Sequence, residues 1–181
     1  MKFNLLFLLL ILISFIGCKS PEARKPITVK TGSFIENSAE RNIKLNEREN
    51  ELINQIIESD TLNEYVSSNY GFYYYFNTKI DSTSYLPQFG DVINFNYNIK
   101  SIDGETIYSK EDIKTQNYAM DKEELFTGLR EGLKLLSEGE TATFIFPSQK
   151  AFGYYGDENK IGTNIPIICK VSVNKITKNQ Y

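Results

Sequence analysis

The stretch from Asp91 to Ser101 constrains this chain most, because its side chains alternate in character residue by residue. Ile93, Phe95, Tyr97 and Ile99 fall on one side of an extended chain, and Asn94, Asn96 and Asn98 on the other. A period of two marks a β-strand with one face on a core and the other in water. Such a strand needs hydrogen-bonded neighbours and an apolar layer over its inner face. Ser101-Ile102-Asp103-Gly104 then supplies an Asp-Gly turn, and Glu105 to Tyr108 begins the antiparallel return.

Further elements of the same kind follow. Tyr118 to Met120 extends a strand, Thr141 to Phe146 forms one that Pro147 ends, and Ile167 to Ile176 forms the last. On that last strand Ile167, Cys169, Val171 and Val173 face one way. Upstream, Gly71 to Phe76 is an aromatic run with strong strand preference. No basic residue interleaves with it, which favours a half-buried strand over a platform for stacking bases.

Gly128 to Leu136 reads as a short helix, with Leu125, Leu129, Leu133 and Leu136 on one face. Gly128 serves as its cap, Glu131 as a capping-box acid and Gly139 as its stop. Gly132 lies inside it at a cost of about 1 kcal/mol relative to alanine. Residues 46–59 read as a longer amphipathic helix, with Asn46 and Glu49 as the cap signal and Leu52, Ile53, Ile56 and Ile57 at helical spacing. It either packs on its own domain or serves as a dimerisation arm. Residues 148–166 form a long loop rich in glycine and aromatics, of the kind that is functional or mobile. The strand-dominated order implies an α+β fold with an antiparallel sheet.

The chain opens with Lys2 and an apolar run from Phe3 to Ile16, broken by Asn4 and Ser14. That run is short for a membrane span, which takes ~20 apolar residues, and fits a signal peptide. It ends in Ser14-Phe15-Ile16-Gly17-Cys18, which resembles the bacterial lipobox. The resemblance implies cleavage before Cys18 and diacylation of its thiol, and acylation at two or three positions gives durable anchoring. Residues 18–41 then read as a flexible tether carrying Pro21, Pro26 and Thr31-Gly32-Ser33.

Composition excludes several functions. Histidine is absent, which removes Ser-His-Asp and Cys-His catalysis and zinc sites with histidine ligands. The net charge is −3, against the basic face that nucleic-acid binding requires. The sequence holds two cysteines, so with Cys18 acylated Cys169 has no disulfide partner. No metal-ligand spacing or nucleotide loop stands out, and no cofactor is expected.

A set of short motifs in unbroken order resembles a known family. Gly90-Asp91-Val92, Tyr97, Asp103-Gly104, Gly128-Leu129, Glu131-Gly132-Leu133, Gly139-Glu140, Phe146-Pro147, Ala151-Phe152-Gly153, Gly156 and Ile165-Pro166 look like the FK506-binding (FKBP) type of peptidyl-prolyl cis-trans isomerase. With the lipobox and the Pro-Glu-Ala-Arg-Lys-Pro tether, the chain looks closer still to the gliding-motility-associated lipoprotein isomerases of Bacteroidetes.

The resemblance implies a curved five-stranded antiparallel sheet wrapped on one short helix, here preceded by the amphipathic helix. It divides the chain into a signal peptide at 1–17, a tether at 18–41, a helical segment at 42–70, a leading strand and linker at 71–87 and the isomerase domain at 88–177.

It also implies a pocket between helix and sheet, lined by Tyr97, Ile107, Tyr108, Leu125, Phe126, Leu129, Phe152, Ile161 and Cys169. Leu129 stands where the family usually has tryptophan, Cys169 and Ile107 where it has phenylalanine, Tyr108 where it has aspartate and Phe152 where it has tyrosine. These departures imply a shallower pocket and reduced turnover.

The expected function is a membrane-anchored isomerase acting on proline-containing polypeptides, exported envelope or gliding-motility proteins among them. The alternatives are a catalytically weak peptide-binding module in a motility or secretion complex, and a structural lipoprotein. Lys19 rather than aspartate after Cys18 favours the outer membrane, and the lack of an acidic cluster in the tether favours its periplasmic face.

Overall fold

The structure, a computed structural model, describes residues 31–80 and 85–179, with side chains from residue 35 onward. The signal peptide, Cys18 and the first part of the tether lie outside the described residues. The chain divides into two compact units, Met1–Ala39 and Glu40–Tyr181. Of the first, only residues 31–39 are described, and they are helical.

Helix α1 spans Thr31–Ser59, which corrects the sequence reading at its start. Asn46 is an interior residue rather than a cap, and residues 31–41 are helical rather than tether. The physical reason is that residues 33–45 contain neither proline nor glycine and include the good helix formers Glu36, Ala39, Glu40, Arg41, Lys44 and Leu45. Past Ser59 the chain turns on Asp60, whose carboxylate accepts from the Leu62 amide, the Asn63 amide group and the Tyr65 hydroxyl. Within the second unit α1 lies on its own domain. Ile53 is fully buried, Ile56 and Ile57 are half-buried, and the Glu49 carboxylate is bound to Ser148.

One antiparallel sheet fills the rest. It contains β1 (Val66–Ser67), β2 (Tyr73–Thr78), β3 (Val92–Tyr97), β4 (Ile99–Ser101), β5 (Thr106–Tyr108), β6 (Gln116–Ala119), β7 (Thr141–Phe146) and β8 (Ile167–Thr177). The order is β1-β2-β7-β8-β3-β6, with β4 bridging β5 and β8. The sheet thus has eight strands rather than five.

The largest departure is β2. Expected as a leading strand outside the domain, it pairs along β7, from Tyr73 opposite Ile145 to Phe76 opposite Ala142. Aromatic packing accounts for its place. The Tyr74 ring lies 5.7 Å from Phe144, and Phe72 meets Phe144 and Phe146 edge-on at 5.8 and 5.2 Å.

β3 and β8 behave as their alternation implies. Ile93, Phe95 and Ile99 are buried, as are Ile167, Cys169, Val171 and Val173. The asparagines on the outer face bond to one another, Asn94 to Asn117 and Asn174, and Asn96 to Asn174.

A one-turn helix, α2 (Lys110–Ile113), follows β5, started by a reciprocal cap between Ser109 and Asp112. Helix α3 (Thr127–Leu133) crosses the inner sheet face. Its N-cap is Phe126, with no side-chain cap bond, rather than Gly128. Gly128 is needed for proximity instead: a Cβ there would lie 2.5 Å from the Phe146 ring and 2.7 Å from the Lys150 carbonyl oxygen. Leu129, Leu133 and Leu136 are fully buried and join the sheet's inner residues in one core.

Candidate functional site

Three structural levels converge at one end of the core. Strand β3 ends at Tyr97, α3 begins at Phe126, and β7 runs through Pro147 into a 3-10 turn at Ser148–Lys150 and the long loop. The loop is pinned by its own backbone. Gly153 donates to the Ser148 carbonyl at 2.9 Å, Asn164 to the Gly153 carbonyl at 2.8 Å and Asp157 to the Ile161 carbonyl at 3.0 Å. Gly156 sits at φ 68°, where a Cβ would fall 2.1 Å from the Ile161 carbonyl oxygen, so no other residue fits.

The nine pocket residues named from the sequence all belong to, or pack against, the same apolar cluster. Leu129, Cys169 and Ile161 lie inside the core, with exposures of 0, 0 and 3%. Tyr97, Ile107, Tyr108, Leu125, Phe126 and Phe152 are half-buried, each with a face in the core and a face outward. Phe126 and Phe152 come together directly, with ring centres 5.0 Å apart and planes tilted by 42°. Phe126 also meets Phe146 edge-on at 5.5 Å, and Tyr97 stacks on Phe95 at 5.6 Å.

Tyr97 is the polar group of this apolar set. Burial pushes its hydroxyl up to about 12, with the Cys169 thiol adding to the shift. Among the described residues no side chain or carbonyl pairs with that hydroxyl, which leaves it a neutral donor for a bound group. Cys169 is fully buried and its thiol is pushed up by desolvation, so it stays protonated and acts as a wall. Tyr97 also borders a groove of about 290 Å³ on the outer face, lined with Asn96, Asn98, Lys110, Lys170 and Ser172. Apart from Tyr97, the side chains that line it are polar.

Tyr108 differs from the sequence reading in its surroundings. Its hydroxyl donates to the carboxylate of Asp157, and the Lys160 ammonium lies 4.7 Å from its ring centre while donating to the Ile107 carbonyl at 3.2 Å. An acid therefore does stand at this corner, supplied by the loop instead of by strand β5. Partial burial alone would raise the Asp157 carboxyl. The Tyr108 hydroxyl and the amides of Ile161 and Asn159 outweigh that and hold it below the usual carboxylate range. Sequence reading missed Asp157. The available signal was Asp157-Glu158-Asn159, a polar turn in which aspartate accepts the amide two residues on.

Among the described residues no cluster of three or more histidine, cysteine or acidic side chains could hold a metal ion. What the described residues bring together is an apolar cluster with half-buried aromatic edges, a Tyr97 hydroxyl without a partner among them, and an acid held by a tyrosine. Such edges can meet a small ring, and such a hydroxyl can donate to a carbonyl.

Comparison with known proteins adds to this geometry. Residues 84–174 match the family model described as FKBP-type peptidyl-prolyl cis-trans isomerase. Over 90 residues the chain is 31% identical to a protein of Neisseria meningitidis serogroup B described as a probable FKBP-type peptidyl-prolyl cis-trans isomerase FkpA, a match covering 50% of this chain and 33% of that one. The chain thus matches about a third of that relative's length. The fold is similar to the crystal structure of a peptidyl-prolyl cis-trans isomerase from Pseudomonas syringae pv. tomato, with a TM-score of 0.59 at 16% identity over 73% of this chain and 92% of the other. At that identity the likeness speaks to the fold.

Proposed function

Because this chain belongs to the FKBP-type peptidyl-prolyl cis-trans isomerase family, we propose that its cleft catalyses rotation about X-Pro bonds in exported polypeptides. The carrying observation is the half-buried aromatic set of Tyr97, Phe126 and Phe152 packed on the apolar core, with the Tyr97 hydroxyl unpartnered among the described residues. Amide resonance sets a barrier of ~18–20 kcal/mol to peptide rotation. For X-Pro the two planar forms are nearly equal in energy, so a slow interchange between populated states remains to be accelerated. Acceleration needs only that the twisted amide bind better than either planar form.

Each part of the cleft has a role in that binding. Phe126 and Phe152 present the half-buried aromatic edge that takes the proline ring, backed by the core that contains Leu129 and Cys169. Water is kept from the twisted bond, whose nitrogen has lost its resonance with the carbonyl. The Tyr97 hydroxyl donates to a carbonyl of the substrate, and Asp157 with Tyr108 fixes the mouth.

A second reading has its own observation. Leu129 and Cys169 are at zero exposure, so the apolar surface open to a substrate is the half-buried aromatic edge alone, which suits a module that holds proline-containing segments while turning them slowly. Cis-to-trans relaxation of a short X-Pro peptide, read with and without the purified chain, separates the two. Acceleration over the spontaneous rate supports the enzyme. Peptide binding without acceleration supports the holding module.

The proposal extends to location and clients. Lipid on Cys18 would hold the domain at the periplasmic face of the outer membrane, and its clients would be envelope or gliding-motility proteins that fold there. The short apolar leader ending at Cys18 and the neighbouring Lys19 support the anchoring.

A further inference from the structure

The turn that opens the long loop is held from two sides. On one, Glu49 of α1, 4% exposed, takes both donors of Ser148, itself 2% exposed. The Ser148 amide lies 2.8 Å and its hydroxyl 2.6 Å from the two carboxylate oxygens. On the other side α3 approaches so closely at Gly128 that a Cβ would lie 2.7 Å from the Lys150 carbonyl oxygen. The Ser148 carbonyl in turn accepts the amides of Ala151 and Gly153 at 3.0 and 2.9 Å. The two residues flanking Phe152 therefore hang from the residue that Glu49 grips. Phe152 faces Phe126, the residue that starts α3, at 5.0 Å.

We propose that Glu49 is a positioning residue for the cleft, which sets the separation of Phe152 from Phe126 by fixing Ser148. The inference rests on the reading of that cleft as a prolyl site. Its physical basis is the cost of orphaning buried groups. Without the carboxylate, two buried donors on Ser148 have no acceptor, and the turn moves to find water. Phe152 moves with it. Rate is sensitive to such movement, since a displacement of ~1 Å in a positioned group costs up to ~100-fold.

The test uses Glu49→Leu, Glu49→Gln and Ser148→Ala in the full chain. Three quantities are read: kcat and KM on a short X-Pro peptide, thermal midpoint, and hydrogen exchange at the Ala151 and Gly153 amides. Glu49→Leu is expected to lower kcat/KM about tenfold and to speed exchange at both amides while β8 stays protected. Glu49→Gln offers an oxygen to the amide and an NH to the hydroxyl oxygen, so it is expected to restore most of both. Ser148→Ala, which keeps the backbone bond, falls between, and it carries the test if Glu49→Leu fails to fold. Unchanged exchange and unchanged kcat/KM in Glu49→Leu would overturn the proposal, as would a Glu49→Gln chain no better than Glu49→Leu. If the wild-type chain shows no acceleration, the isomerase reading falls while amide exchange still decides the role of Glu49.

Discussion

Tyr97 stands at the end of β3 with its ring on Phe95 and its hydroxyl unclaimed among the described residues, and that combination gives the residue its value. Replacing it by phenylalanine keeps the packing and removes only the donor. Tyr97→Phe is expected to lower kcat/KM on an X-Pro peptide about tenfold, the size of one charge-free hydrogen bond gained in the transition state, with little change in melting temperature. Asp157 works differently, because its carboxyl titrates lower in the folded chain than in the unfolded one. Its contribution to stability is therefore present above the ordinary carboxylate range and is lost as pH falls through its folded value. Melting curves of wild type and Asp157→Asn should differ near neutrality and converge in acid, once the pH has fallen below the lowered Asp157 value. A gap of constant size across that range would remove Asp157 from the account. Which of these two residues could be read from sequence follows from distance along the chain. Tyr97 belongs to a local alternation, whereas Asp157 meets Tyr108 across 49 residues, a pairing that only the folded loop creates.

At the scale of elements, local periodicity carried β3, β8 and the leucine face of α3, since each shows its own buried side, whereas β7 is buried along almost its whole length and was marked by Pro147 at its end. The aromatic run at β2 announced a strand without announcing its neighbour. Only the packing of Phe72 and Tyr74 on Phe144 and Phe146 makes it part of the sheet. Phe72→Ala should accordingly cost about 3–5 kcal/mol in chemical denaturation, the range for a fully buried phenylalanine. A loss under about 1 kcal/mol would mean that β2 is dispensable to the fold. The glycines of α3 were legible as helix cost, while their cause was not: Gly132 lets the helix come within 3.0 Å of the Phe144 ring, measured from a notional Cβ. The start of α1 was missed because a weak cap signal at Asn46 outweighed an uninterrupted run of helix formers before it. Glu49, taken as a cap acid, proved to be the side chain that reaches the loop.

For the whole molecule, the second unit is a sheet with α3 on its inner face and the docked part of α1 held by Ser148, all of it independent of cysteine cross-links. The proposed lipid attachment is separable from the fold and has its own test. Cys18→Ser should abolish incorporation of labelled fatty acid and release the chain from membranes, with isomerisation by the released chain intact. Continued labelling would place the acyl group elsewhere. The account's central claim is that the cleft between α3 and the sheet turns prolyl bonds, and one measurement addresses it most directly. The relaxation rate of a short X-Pro peptide is compared among wild type, a Tyr97→Ala chain and no protein. The account predicts clear acceleration by wild type and a loss of about tenfold or more in the variant. A wild-type rate equal to the spontaneous one, or an unchanged rate in the variant, would contradict it.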